Sequence, residues 1–168
     1  ALHGRLQLAD ANGYDLIVPE AGRRPDPGAT PVGPELYEAL RIENGFPRWG
    51  VDMDATMLPM EAGLEPIAIS YSKGCYTGQE VIQRVKTYSE PPNAFVSLEV
   101  EGATAPAVPA PLLAGGQEVG RVTSAAATGK VFALGTVRKE HKAPGTALML
   151  GDRQAVVRAM PWQARLSP

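Results

Sequence analysis

From residue 96 onward the chain alternates apolar and polar residues in short runs, each closed by a turn signal. This punctuation limits the fold more than any other feature of the sequence. Val96, Leu98 and Val100 alternate ahead of Gly102. Residues 112–114 and 117–124 flank Gly115-Gly116, and residues 147–150 and 154–160 flank Gly151-Asp152. Residues 131–138 add a further run. A period of two places alternate side chains on opposite faces, so each run reads as a strand with one face to bury. Five or six such strands joined by short turns fit a small β-barrel or a sandwich. Pro106, Pro109 and Pro111 read as a stiff loop between two of them.

The first half has a different texture. Leu6 and Leu8, then Tyr14, Leu16 and Val18, alternate on either side of Asn12-Gly13, a dipeptide suited to a hairpin turn. Residues 19–34 are dense in Pro and Gly and read as a loop. Pro34 suits the first position of a helix and Gly45 the position just past its end, with Leu36, Leu40 and Tyr37 as its apolar stripe. Glu43 falls in the last turn, where a carboxylate opposes the helix dipole at a cost of about 0.3–1 kcal/mol. Such a placement hints at a role other than helix stability. Residues 46–72 are irregular, with Ile67, Ile69 and Tyr71 alternating as a short strand.

The stretch Lys73-Gly74-Cys75-Tyr76-Thr77-Gly78-Gln79-Glu80 holds the single cysteine. Thr77 and Glu80 have the spacing of a capping box, and Val81, Ile82 and Val85 follow as a helical stripe. Cys75 therefore falls just ahead of a helix N-terminus and two residues from the Lys73 ammonium. Both features favour thiolate over thiol, so its pKa is expected below the free value of about 8.5. A small buried apolar cysteine is the plainer alternative. Glu90-Pro91-Pro92-Asn93 then stops the helix and divides the chain into residues 1–91 and 92–168.

Composition narrows the functions. A net charge of −2 makes no electrostatic case for a nucleic-acid partner. One cysteine excludes an internal disulfide, a Cys-rich zinc site and a cluster held by this chain's own thiolates. His3 and His141 lack ligand spacing, so no metal site is expected. No run approaches the roughly 20 apolar residues of a membrane span, and the start lacks the apolar core of a signal peptide. A cytoplasmic protein with no membrane partner is the expectation.

The octet Lys73–Glu80 resembles the signature of the YgfZ family, folate-binding relatives of the glycine-cleavage T-protein, an aminomethyltransferase. The likeness extends to Arg41-Ile42-Glu43-Asn44-Gly45-Phe46-Pro47, similar to an R-x-E-x-G-x-P segment, and to Gly50-Val51-Asp52 and Pro59-Met60-Glu61-Ala62-Gly63-Leu64. Val119-Gly120-Arg121-Val122-Thr123-Ser124 resembles a strand of the T-protein's C-terminal barrel. The resemblance implies an α+β fold: the C-terminal part of a T-protein-like folate-binding domain (1–91), then a small antiparallel β-barrel (92–168). Members carry a further N-terminal region of on the order of a hundred residues, the size of a domain.

It further implies tetrahydrofolate, or a one-carbon derivative, as cofactor, with Glu43 at the pterin end. Arg41, Tyr76 and Arg84 are carried over as cofactor-binding candidates. Cys75 and Lys73 are carried over as the reactive pair. Glu80 pairing with Arg84 at i, i+4, worth about 0.3–0.5 kcal/mol, is the stronger expectation for Arg84. The function implied is an accessory protein for iron–sulfur cluster assembly or repair, with iron–sulfur proteins or assembly factors as partners. A folate-dependent aminomethyltransferase is the alternative, with Glu43, Asp52, Asp54 and Glu61 as candidate carboxylates. A partner-binding fragment without folate chemistry is a third reading. An exposed strand edge in the opening hairpin would invite self-association.

Overall fold

The computed structural model describes residues 3–6, 13–16, 28 and 30–161. In chain order its elements are β1 (His3–Leu6), β2 (Gly13–Leu16), α1 (Pro34–Asn44), α2 (Glu65–Ala68), α3 (Gln79–Tyr88), β3 (Asn93–Val100), β4 (Ala110–Ala114), β5 (Gln117–Ala127), β6 (Val131–Arg138), β7 (Ala147–Leu150) and β8 (Arg153–Arg158). The fold is α+β, and its strands from β3 onward close into an antiparallel barrel in the order β3-β6-β5-β4-β7-β8. A barrel, not a sandwich, solves the edge problem of these short strands, because β8 returns to pair with β3. Its interior is filled by alternate residues of every strand, among them Val96, Leu98, Leu112, Val122, Ala133, Leu148 and Val157.

β3 breaks the one-faced pattern. Residues 95–98 are all buried, which needs cover on the outside of the barrel as well as the inside. Ile42 of α1 supplies part of it, packing with Phe95, Phe132, Leu134 and Met160 in a second apolar layer. α1 has the bounds read from Pro34 and Gly45. Gly45 takes φ 82, and the N–H groups of Gly45 and Phe46 bond the carbonyls of Ile42 and Arg41, a Schellman ending that a left-handed residue makes possible.

Several expectations are corrected. Gly13 lies in the ladder opposite Leu6, so Asn12-Gly13 is not the two-residue turn of the opening hairpin; Leu8 and Val18 lie outside the described residues. Residues 67–71 form no strand. Glu65 and Pro66 instead open the single turn α2, where proline's fixed φ suits the first helical positions. Pro111 belongs to β4 rather than to the loop before it. It is tolerated because β4 pairs with β7 only at Leu113, so a missing N–H costs that side of the ladder little. Residues 139–141 form one 3-10 turn after β6. Among the described residues no helix is long and apolar enough to cross a membrane.

Candidate functional site

Three of the stretches singled out above meet in one buried cluster between α1 and the barrel. Arg41 is 4% exposed and Asp52 is 3% exposed. Arg41 Nε donates to Glu38 Oε2 (3.0 Å), Nη2 to Glu38 Oε1 (2.6 Å) and Ser124 Oγ (3.0 Å), and Nη1 to Asp52 Oδ2 (2.7 Å) and the Phe46 carbonyl. All five of its N–H groups are thereby committed within the protein. Asp52 accepts in addition from the Arg48 backbone N–H (2.9 Å), Thr123 Oγ1 (2.6 Å) and Ser124 Oγ (2.7 Å). Burial alone would lower the Arg41 pKa, but the carboxylates of Glu38 and Asp52 outweigh it and hold it above its ordinary value. The hydrogen bond from Arg41 in turn depresses Glu38.

The barrel's contribution comes from a bulge. The register of β5 on β6 shifts between Val122 and Ser124, which lets both Thr123 and Ser124 reach Asp52. Gly120, just before it, sits so close to β6 that a Cβ there would lie 2.0 Å from the Thr136 carbonyl oxygen.

Glu43 stands one step from this cluster. Its carboxylate accepts from Thr128 Oγ1 (2.9 Å) in the β5–β6 turn, and its carbonyl accepts from Arg158 Nη2. Arg158 also donates to Ser97 Oγ (2.8 Å) and stacks 4.1 Å over the Phe132 ring. A cation at the C-terminal carbonyls of α1 offsets the unfavourable placement of Glu43 in its last turn. Glu43 Oε1 bonds no described residue, which leaves it able to accept from a ligand.

The octet forms a separate group. Cys75 is an exposed free thiol, which corrects the buried alternative. Lys73 is exposed, with its ammonium 4.5 Å over the Tyr76 ring, and its backbone N–H bonds Ser70 Oγ (3.2 Å). The Tyr76 hydroxyl is enclosed without a partner. The capping box does not form: α3 begins at Gln79 behind Gly78, whose left-handed φ of 87 sets the helix start one residue late for Thr77. The helix's first N–H groups thus meet no capping side chain. Nor does an ion pair join Glu80 to Arg84, which is exposed.

α3 has no buried residue. A cluster that sequence reasoning missed tethers it: Tyr71 Oη donates to Glu65 Oε1 (2.8 Å), and Lys86 Nζ bonds the same oxygen (3.1 Å) while lying 3.5 Å over the Tyr71 ring. Burial, then the bond to Glu65, pushes the Tyr71 pKa up to about 12, and the Tyr71 bond lowers that of Glu65. No signal in the sequence links Tyr71 to Lys86 beyond their flanking the octet. Among the described residues no hydrogen bond or ion pair joins the octet to α1 or the barrel, and no group of three or more His, Cys, Asp and Glu could hold a metal.

No family model matches the chain. It is 33% identical over 144 residues to the aminomethyltransferase of Streptomyces avermitilis, across 83% of this chain and 38% of that protein. It is 41% identical over 71 residues to the tRNA-modifying protein YgfZ of Yersinia enterocolitica, across 42% of this chain and 22% of that one. The crystal structure of glycine cleavage system aminomethyltransferase T from Bartonella henselae shares the fold, with a TM-score of 0.65 at 24% identity, across 74% of this chain and 37% of that one. The chain is homologous to aminomethyltransferases over most of its own length, and it spans less than half the length of these relatives.

Proposed function

We propose that this chain is part of a tetrahydrofolate-binding accessory protein for iron–sulfur cluster assembly or repair, working in the cytoplasm through a reactive Cys75. The observation that carries the reading is the position of Cys75, exposed and unpaired ahead of the uncapped N-terminus of α3 with Lys73 beside it. The partial likeness to YgfZ supports the folate-binding part of it. In this reading the Cys75 thiolate attacks one sulfur of a disulfide on a partner protein, forms a mixed disulfide and expels the other sulfur as thiolate. Glu43 accepts from the amino-pyrimidine N–H groups of the pterin through its free oxygen, and Tyr76 and Arg84 border the ligand. Arg41, with no donor to spare, ties α1 to Asp52 and Ser124 instead of touching folate.

A folate-dependent aminomethyltransferase is the second reading, favoured by the relatives of that name. Its candidate carboxylates are largely occupied: Asp52 by the buried cluster, Asp54 by Thr56, Glu61 by the Leu58 N–H. The partner-binding fragment finds support in Val81, 53% exposed on an unburied α3. Self-association would proceed through the two-stranded β1–β2 sheet.

The test is a calorimetric titration of folinate into the protein and its Glu43→Ala and Cys75→Ala variants, with a thiol titration of Cys75. The reading expects binding that Glu43→Ala weakens by about tenfold or more and that Cys75→Ala spares, and a Cys75 thiol that an aromatic disulfide titrates in the folded protein. Folate binding indifferent to Glu43 would move the pterin site. One-carbon transfer that persists in Cys75→Ala would favour the transferase.

A further inference from the structure

The barrel seam opens at one end. β3 and β8 pair from Val100–Ala155 to Ser97–Arg158, and beyond Ser97 the two strands part. The Phe95 N–H turns to the Glu61 carbonyl (2.7 Å), while Val157 exchanges backbone bonds with Gly145 and Thr146. Between the parted strands lies a cavity of about 660 Å3, within the range of small-molecule sites.

Its lining divides by chemistry. Met60, Phe95 and Met160 supply apolar wall, and thioether side chains adapt to the shape of what they meet. Lys139, Lys142 and Arg158 supply three cations. No acidic residue is among the described lining residues, in a chain where Asp and Glu (18) outnumber Lys and Arg (16). The cations are available to different degrees. Arg158 spends Nε and Nη2 on Ser97 and Glu43. Lys142 pairs with Glu90 across an exposed surface, a weak and readily exchanged bond. Lys139 is half-buried and has no ion pair among the described residues. Glu90, which pairs with Lys142 and also feels the charge of Lys139, is the acidic group near both cations; its exposed carboxylate is screened by water and leaves them able to meet a bound anion.

We infer that this seam cavity is a binding site for an amphipathic organic anion, whose aromatic body lies against Met60, Phe95 and Met160 and whose carboxylate or sulfonate meets Lys139 and Lys142. The site uses neither Cys75 nor the carboxylate of Glu43, and it stands whether or not the folate reading does.

The probe is anilinonaphthalene sulfonate, an aromatic anion, followed by fluorescence and calorimetry on the folded chain. The expected result is one site per chain that Lys139→Glu with Lys142→Glu weakens by about tenfold or more, the loss of one or two charge-assisted contacts. Lys130→Glu, a single charge reversal at an exposed hairpin lysine outside the cavity, should leave it unaltered. Phenylnaphthylamine, the same rings without the sulfonate, should bind at least about tenfold more weakly. Absence of binding at millimolar probe overturns the inference. So does equal loss in Lys130→Glu, or equal affinity for the neutral probe.

Discussion

Replacing Asp52 by alanine removes the acceptor for four donors at once: the Arg41 guanidinium, the Arg48 backbone N–H and the hydroxyls of Thr123 and Ser124. Counted singly, at about 1.5–3 kcal/mol for each bond to a charged group, they would exceed the whole stability of many domains. That sum overshoots, because water enters the vacated space and the hydroxyls find other acceptors. The relevant scale is the loss of one partner from a buried ion pair, about 3–5 kcal/mol, dominated by the stranded Arg41 cation. Glu38 still pairs with Arg41 and draws the figure toward the lower end. Urea unfolding, followed by far-ultraviolet circular dichroism and tryptophan fluorescence, should show the midpoint fall with the slope unaltered. The double variant Arg41→Met with Asp52→Leu should regain most of the loss, since no unpaired charge remains. A cost below about 1 kcal/mol for Asp52→Ala, or a double variant as unstable as the sum of its singles, would refute the assignment of the cluster as a charge-dependent lock.

Three further outcomes follow from the geometry. Gly120→Ala places a Cβ 2.0 Å from a backbone oxygen of β6, so soluble expression and melting temperature should both drop steeply; an unaltered melting temperature would show that the strands can part there. Tyr71 is raised from 10.0 to about 12, so its hydrogen bond stabilises fully below pH 10 and that stability is lost as pH rises through 12. The phenolate absorbance difference between wild type and Tyr71→Phe should show this late titration, and a midpoint near 10 would remove the clamp on Glu65. Lys86→Met should speed amide exchange in α3 while leaving the barrel's unfolding free energy within about 1 kcal/mol of wild type, as expected for an exposed tether.

The features legible in the sequence are those whose physics is local. Strand alternation and paired turn glycines located the barrel, and Pro34 and Gly45 bounded α1, because each signal acts on its own backbone. The start of α3 misled because Thr77 and Glu80 have capping spacing, whereas the left-handed conformation open to Gly78 starts the helix later. The α2 turn misled because three alternating residues outweighed Glu65-Pro66. The buried cluster was invisible for another reason: Asp52 finds Thr123 and Ser124 71 and 72 residues away, and Arg41 finds Ser124 83 away. Glu43 shows both sides. Its awkward place in α1 was readable, but Arg158, which compensates it from 115 residues on, was not.

The layer formed by Ile42 with Phe95, Phe132, Leu134 and Met160 bears on how such a molecule can be divided or recombined. A cut at residue 92 falls between helix and strand, yet it would strip the barrel of its outer cover and leave Thr123 and Ser124 facing water in place of Asp52. A cut ahead of Pro34 would keep that cover in place. A chimera that exchanged only the strands would have to bring a matching helix with it.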